Sequence, residues 1–270
     1  MLGAIIGDII GSRWEFSPTN DYNFELFSDK NGFTDDTICT IAVADAILHN
    51  SEEYGKYIHN WCNKYQHPMG GYGGRFAQWV ASSSPKPYNS FGNGSAMRVS
   101  PIGWRFNNDE VMSQAQKSAE CTHNHIEGIK GAQSVACAIY GCREFIRKQQ
   151  NNTFTKEEIR DYALRQSIGM YGIDSREFKI DIERYRNKFD ETCQGTVPVA
   201  LWIIINSTSY EDAVRKAVSL GGDADTLGAI VGSIAKALWG IPEWIENKAL
   251  TYLPEEMKNI IIEFRNRYIK

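Results

Sequence analysis

The sequence has no Cys-x-x-Cys pair among its six cysteines, no His-x-x-x-His spacing among its five histidines and no internal repeat. These absences exclude a zinc ribbon or a His-pair zinc site, and scattered cysteines in a chain of 270 residues do not make a disulfide framework. They read instead as small buried apolar residues of a reducing compartment. No stretch approaches the roughly 20 apolar residues of a membrane span. The apolar opening, residues 2–10, carries Asp8 and has no basic leader, so it does not read as a signal peptide. Charge of one sign is also missing: 29 Lys+Arg against 33 Asp+Glu leave a net charge of -4, with no footprint for nucleic acid or anionic lipid. A cytoplasmic, monomeric globular protein is expected, and 42% hydrophobic residues are enough for a large core.

Long strand-like alternation is scarce too, and helical periodicity takes its place. Ile38, Ile41, Ala42, Ile47 and Leu48 share one helix side, as do Leu227, Ile230, Val231, Ile234, Ala235 and Leu238. Residues 126–145 are long, Ala-rich and free of Pro; 213–220 and 255–268 are amphipathic. Residues 197–205 are apolar throughout and could be a buried strand, since length does not decide it. The expected fold is all-α, a single compact many-helix bundle with one domain over residues 1–270. Residues 81–95, rich in Ser, Pro, Gly and Asn, read as a long loop. Gly3, Gly7 and Gly11 recur every four residues, as do Gly228 and Gly232. Each glycine costs a helix about 1 kcal/mol relative to Ala, so the stripes imply close backbone packing. If they face each other, Glu15 and residues 223–226 come together.

Two acidic segments stand immediately before apolar helices: Thr34-Asp35-Asp36-Thr37 and Gly222-Asp223-Ala224-Asp225-Thr226. Either alone is explained by helix capping. Two with the same chemistry point to convergence, and converging carboxylates require a cation. Carboxylate and hydroxyl oxygens are hard donors that suit Mg²⁺ or Mn²⁺. A third segment, Tyr88 to Arg98, holds Ser90, Phe91, Gly92, Asn93 and Gly94, whose glycines would let backbone N–H groups approach an anion. It is neither a P-loop nor a Rossmann fingerprint.

With these pieces in order, the chain resembles the ADP-ribosylglycohydrolase family, which includes the dinitrogenase reductase-activating glycohydrolase. The resemblance runs end to end: Gly7-Asp8-Ile9-Ile10-Gly11-Ser12 with Glu15, Phe33 to Thr37, Gly71-Tyr72-Gly73-Gly74-Arg75-Phe76, Gly92 to Arg98 with Pro101, Thr122-His123, and Gly221 to Thr226. It implies an all-α fold with two divalent cations, Mg²⁺ or Mn²⁺, that cleaves the bond between ADP-ribose and its acceptor. Carried over by position, Thr34, Asp35, Asp36, Asp223, Asp225 and Thr226 would ligate metal. Glu15, Asp35 and Asp223 are the candidates for proton transfer. Ser90, Phe91, Gly92, Asn93 and Gly94 would contact the diphosphate, with Phe91 on the adenine. His123, Tyr72 and Gly73 would line the cleft.

The bland readings stand beside these. Asp8 suits a structural hydrogen bond, Met97 core packing, and Arg98 either a buried ion pair or phosphate contact. His123 and His125, two apart, do not share a helix face, and His125 reads as structural or exposed. The expected substrate is an ADP-ribosylated protein modified on arginine. Serine-linked ADP-ribose, O-acetyl-ADP-ribose, another conjugate, or a binding protein without turnover are the alternatives. No extended nucleic-acid or membrane partner is expected.

Overall fold

The computed structural model describes residues 1–149 and 154–269. Its first half contains α1 (Leu2–Gly11), α2 (Asp35–Leu48), α3 (Tyr54–Lys64), α4 (Gly74–Ala81), the short α5 (Gly94–Met97) and α6 (Ser100–Arg105), α7 (Asn108–Glu120) and the long α8 (Ile126–Lys148). There follow α9 (Lys156–Glu158), which runs into a π-helical turn, then α10 (Arg165–Gly169), α11 (Cys193–Ile205), α12 (Tyr210–Ser219), α13 (Ala224–Trp239), α14 (Glu243–Leu250) and α15 (Glu255–Tyr268). Among the described residues the only β pairing is an isolated bridge between Gly92 and Thr192. The fold is all-α, as the periodicity predicts. The ambiguous run 197–205 is helical: it forms most of α11, entered from a Thr192 cap and holding Pro198 in its second turn.

The centre is the antiparallel-looking contact of two backbones that sequence spacing anticipates. α1 and α13 pack more extensively than any other pair of described elements. A Cβ added to Gly3, Gly7 or Gly11 would fall well inside 3.0 Å of the carbonyl oxygen of Gly232, Gly228 or Ala224 respectively. Only glycine admits this approach, so the entropy it costs each helix is offset by backbone contact. Every residue of α1 is buried, and nearly every residue of α13. Isoleucines of α1 and α2 and the aliphatic face of α13 continue into a core that takes in α8, α11 and α12. Among the described residues no helix is long and apolar enough to cross a membrane.

This pairing sets the site. α1 ends at Gly11, a 3₁₀ turn over Ser12–Trp14 follows, and Glu15 comes next. α13 begins at Ala224, opposite Gly11. α2 begins at Asp35, tied to α1 by Asp8, whose carboxylate accepts from the N–H of Thr34 (3.1 Å) and of Thr37 (3.1 Å) and from both threonine hydroxyls. Asp8 therefore does the structural work expected of it.

Candidate active site

The α1 exit, the α2 start and the α13 start meet at the floor of a cleft of about 540 Å³. Glu15, Asp35, Asp223 and Asp225 line it, while Asp36 and Thr34 lie buried just beneath. Two helix N-termini point here, and their partial positive charge favours carboxylates in the first turn. The local chemistry of the two acidic segments differs. Thr34 caps α2 by accepting from Asp36 N (3.2 Å), so capping explains part of the first segment. Asp223 occupies the cap position of α13 but makes no capping bond. Its Oδ2 accepts instead from Asn93 Nδ2 at 2.7 Å, and Asn93 also donates to Thr196 Oγ1 at 3.1 Å. Gly221 and Gly222, at φ 79° and 80°, make the left-handed turn that delivers Asp223.

The carboxylates press on one another. Burial raises Asp35 to about 8, helped by the charges of Asp8, Glu15 and Asp223. Burial and then Asp223, Asp8 and Glu191 push Glu15 up to about 7. Asp36 and Asp225 are raised well above the ordinary carboxylate range, again by burial first and neighbouring aspartates second. Asp36 Oδ2 accepts from Thr226 Oγ1 at 3.1 Å, but Asp36 Oδ1 and Asp225 Oδ1 are buried without a partner. As placed, no group of three His, Cys, Asp or Glu among the described residues closes on a single ligand point. Uncompensated like charges do not close up by themselves. Hard oxygen donors, raised pKa values and two orphaned buried oxygens are what a divalent cation would satisfy, so the donor set fits one.

The glycine-rich segment forms one wall. It pairs with residues 191–193: Asn93 N donates to Glu191 O (2.7 Å) and Cys193 N to Phe91 O (2.9 Å). Gly92 N donates to Ser90 Oγ at 3.1 Å. Two of its N–H groups are thus already engaged, and the helix after it is a single turn, so it is a less open anion cradle than its glycines suggest. His123 is buried against it; burial holds its pKa well below the usual value, with Arg98 and Arg75 adding to the shift. Its Nδ1 meets Thr122 Oγ1 at 2.6 Å, and a Cβ on Gly94 would crowd its Nε2.

Ser90, Gly92, Asn93, Gly94, His123, Tyr72 and Gly73 all line the cleft. Phe91 does not: its ring is exposed and stands edge-on to His125 at 5.3 Å, because its carbonyl is turned inward to Cys193. The adenine role expected for Phe91 has no support in this arrangement. His125 caps α8, accepting from Glu127 N at 3.1 Å. Arg98 is fully buried and donates to Ser118 O and Thr122 Oγ1, both at 2.8 Å. Sequence reading missed Asn93 as the anchor of Asp223, and missed Glu191, Phe16 and Phe189 in the lining. It quoted Arg75 without a role; the structure lays that guanidinium 4.9 Å over Tyr88 and bonds it to the Tyr88 carbonyl.

The chain and its fold have counterparts. A solved structure of an ADP-ribosylglycohydrolase-related protein complex superposes with a TM-score of 0.68 at 24% identity, covering 98% of this chain and 96% of that one. ADP-ribosylarginine hydrolase Tri1 of Pseudomonas putida is 26% identical, across 92% of this chain and 73% of its own length. ADP-ribosylhydrolase ARH3 of Homo sapiens is 23% identical across 90% of this chain and 85% of its own. The family model for ADP-ribosylglycohydrolase matches residues 1–267, nearly every position that carries the core and the cleft. The chain therefore belongs to the ADP-ribosylglycohydrolase family, hydrolases of glycosyl bonds.

Proposed function

We propose that this protein removes ADP-ribose from arginine side chains of modified proteins and depends on two divalent cations, Mg²⁺ or Mn²⁺. The observation that carries the reading is the gathering of Glu15, Asp35, Asp36, Asp223 and Asp225 at the floor of one cleft, with two of their buried oxygens unpartnered. Thr34, Asp35, Asp36, Asp223, Asp225 and Thr226 would hold the ions. When bound, divalent ions supply Lewis-acid binding of sugar hydroxyls and acidify a bound water.

The chain's own groups divide the remaining work. Cleavage at the ribose needs a proton held ready for the leaving nitrogen and a base for water. Glu15, raised to about 7 in the metal-free protein, stands at the cleft floor within reach of the ribose site. Asp35 and Asp223 remain the other proton carriers, and Asn93 fixes the direction of Asp223. Neutral His123 packs the glycine-rich wall without adding charge. Arg75, half held by Tyr88, faces the cleft and would neutralise the diphosphate, a task the buried Arg98 shares through its position in the lining.

An arginine linkage is favoured because Glu191, outside the set that would hold the ions, leaves a carboxylate in the cleft lining and the acceptor is a cation. Relatives named ADP-ribosylarginine hydrolase, from Pseudomonas putida and Serratia proteamaculans, agree with it. The test offers arginine-linked and serine-linked ADP-ribosylated proteins separately, each with Mg²⁺, Mn²⁺ or EDTA, and follows free ADP-ribose. Metal-dependent release from the arginine linkage is expected. Release only from the serine linkage would reassign the acceptor, and equal release in EDTA would remove the metal.

A further inference from the structure

The cleft carries charges of both signs in its lining. Among the described residues that line it, the only Lys or Arg are Arg75 and Arg98, and both belong to the Tyr88–His123 end: Arg75 lies on Tyr88, and Arg98 bonds Thr122. The lining also holds acidic and aromatic residues. Phe16 follows Glu15, and Phe189 precedes Glu191 by two residues. The two phenylalanine rings stack on each other, centroids 5.9 Å apart and planes 18° apart. They are 69% and 45% exposed although both line the cleft. Glu191 also lines the cleft, and its carbonyl accepts from the N–H of Asn93 at 2.7 Å, the residue whose amide holds Asp223. Large exposed rings at a cavity rim are informative in a way that single surface apolar residues are not.

We infer that Phe16, Phe189 and Glu191 form the subsite for the acceptor guanidinium; the inference rests on the arginine linkage proposed above. A substituted guanidinium is planar, weakly hydrated and cationic, so it stacks on aromatic faces and pairs with carboxylates. The stacked pair presents an aromatic face at the rim, and Glu191 supplies the carboxylate. An ADP-ribosylated arginine carries its negative charge on the diphosphate and its positive charge on the guanidinium, with the ribose between. The cleft holds a counterpart for each: Arg75 for the diphosphate, and the Phe16–Phe189 pair with Glu191 for the guanidinium. A seryl or acetyl acceptor has no positive charge to place there.

The experiment compares wild type with Phe16→Ala/Phe189→Ala, Glu191→Gln and Phe189→Leu, which keeps bulk without a π face. All lie at the exposed rim, and unchanged melting temperatures would verify folding. For the arginine-linked substrate the double variant should raise KM about tenfold with kcat little changed, Phe189→Leu should behave like it, and Glu191→Gln should follow in the same direction. Inhibition by free ADP-ribose should stay within about twofold, since it lacks the acceptor. An unchanged KM, or an equal loss of affinity for ADP-ribose, would overturn the subsite. Failure of wild type to cleave the arginine linkage would sink the proposed function by itself. The subsite is judged apart from cleavage by titrating agmatine into the ADP-ribose-loaded protein. Binding by wild type and its loss in the double variant support the subsite; absent or equal binding rejects it.

Discussion

Asn93 shows how much one amide can carry in this site. It joins the glycine-rich wall to the α13 start through Asp223 and to α11 through Thr196. A hydrogen bond to a buried carboxylate contributes roughly 1.5–3 kcal/mol, and its removal leaves Asp223 free to turn away from its neighbours. Asn93→Ala should lower kcat about tenfold or more and lower the melting temperature by several degrees; a drop in stability with unchanged kcat would show that the bond is merely structural. Asp35→Ala with Asp225→Ala should abolish metal binding by calorimetry and ADP-ribose release together, with helical circular dichroism retained. Both aspartates were legible in the sequence because their chemistry is local: two carboxylates and a hydroxyl within one turn of a helix start. Asn93 as anchor and Glu191 in the lining were not. Their roles come from the pairing of residues 91–93 with 191–193, about 100 positions away, and neither segment carries a pattern that announces the other. The same pairing sets Phe91, turning its carbonyl to Cys193 while its ring stands beside His125.

Among the elements, α1 and α13 do the positioning. Their glycines were readable as a stripe because the period of four is a property of one helix, and two matching stripes suggest each other. α11 was not readable, because an apolar run fits a buried helix and a buried strand alike, and periodicity cannot separate them. The glycine contact makes a sharp prediction. In Gly7→Ala the new methyl would meet the Gly228 carbonyl, which is backbone and cannot swing aside. Overpacking of this kind costs about 1–3 kcal/mol, partly offset by the better helix propensity of Ala. The larger consequence is geometric: separating the helices moves Glu15 away from Asp223. Hydrolysis should therefore fall more steeply than the denaturant midpoint does, and Gly240→Ala, remote from the contact and at positive φ, should cost stability without that extra loss of rate.

For the whole molecule, the carboxylate floor couples stability to pH and to cations. In metal-stripped protein the folded-state values of Asp8, Glu15 and Asp35 stand at about 6, 7 and 8, above their ordinary values near 4. Between about pH 4 and 8 the folded chain then holds more protons on these groups than the unfolded chain does, so their contribution to stability falls as pH rises. A cation bound only by the folded protein acts in the opposite direction: it favours the ionised carboxylates and stabilises by mass action, the more so as protons leave. Melting temperatures taken from pH 5 to 8 in EDTA should decline by a few degrees or more, and Mg²⁺ or Mn²⁺ should restore most of the loss at pH 8 and little at pH 5. The Asp35→Ala/Asp225→Ala protein should lose the cation response and keep only the shallower slope of Asp8 and Glu15. Were wild type to show a flat EDTA profile, the floor would already be neutralised by contacts within the protein, and the reason for assigning it to metal would be gone.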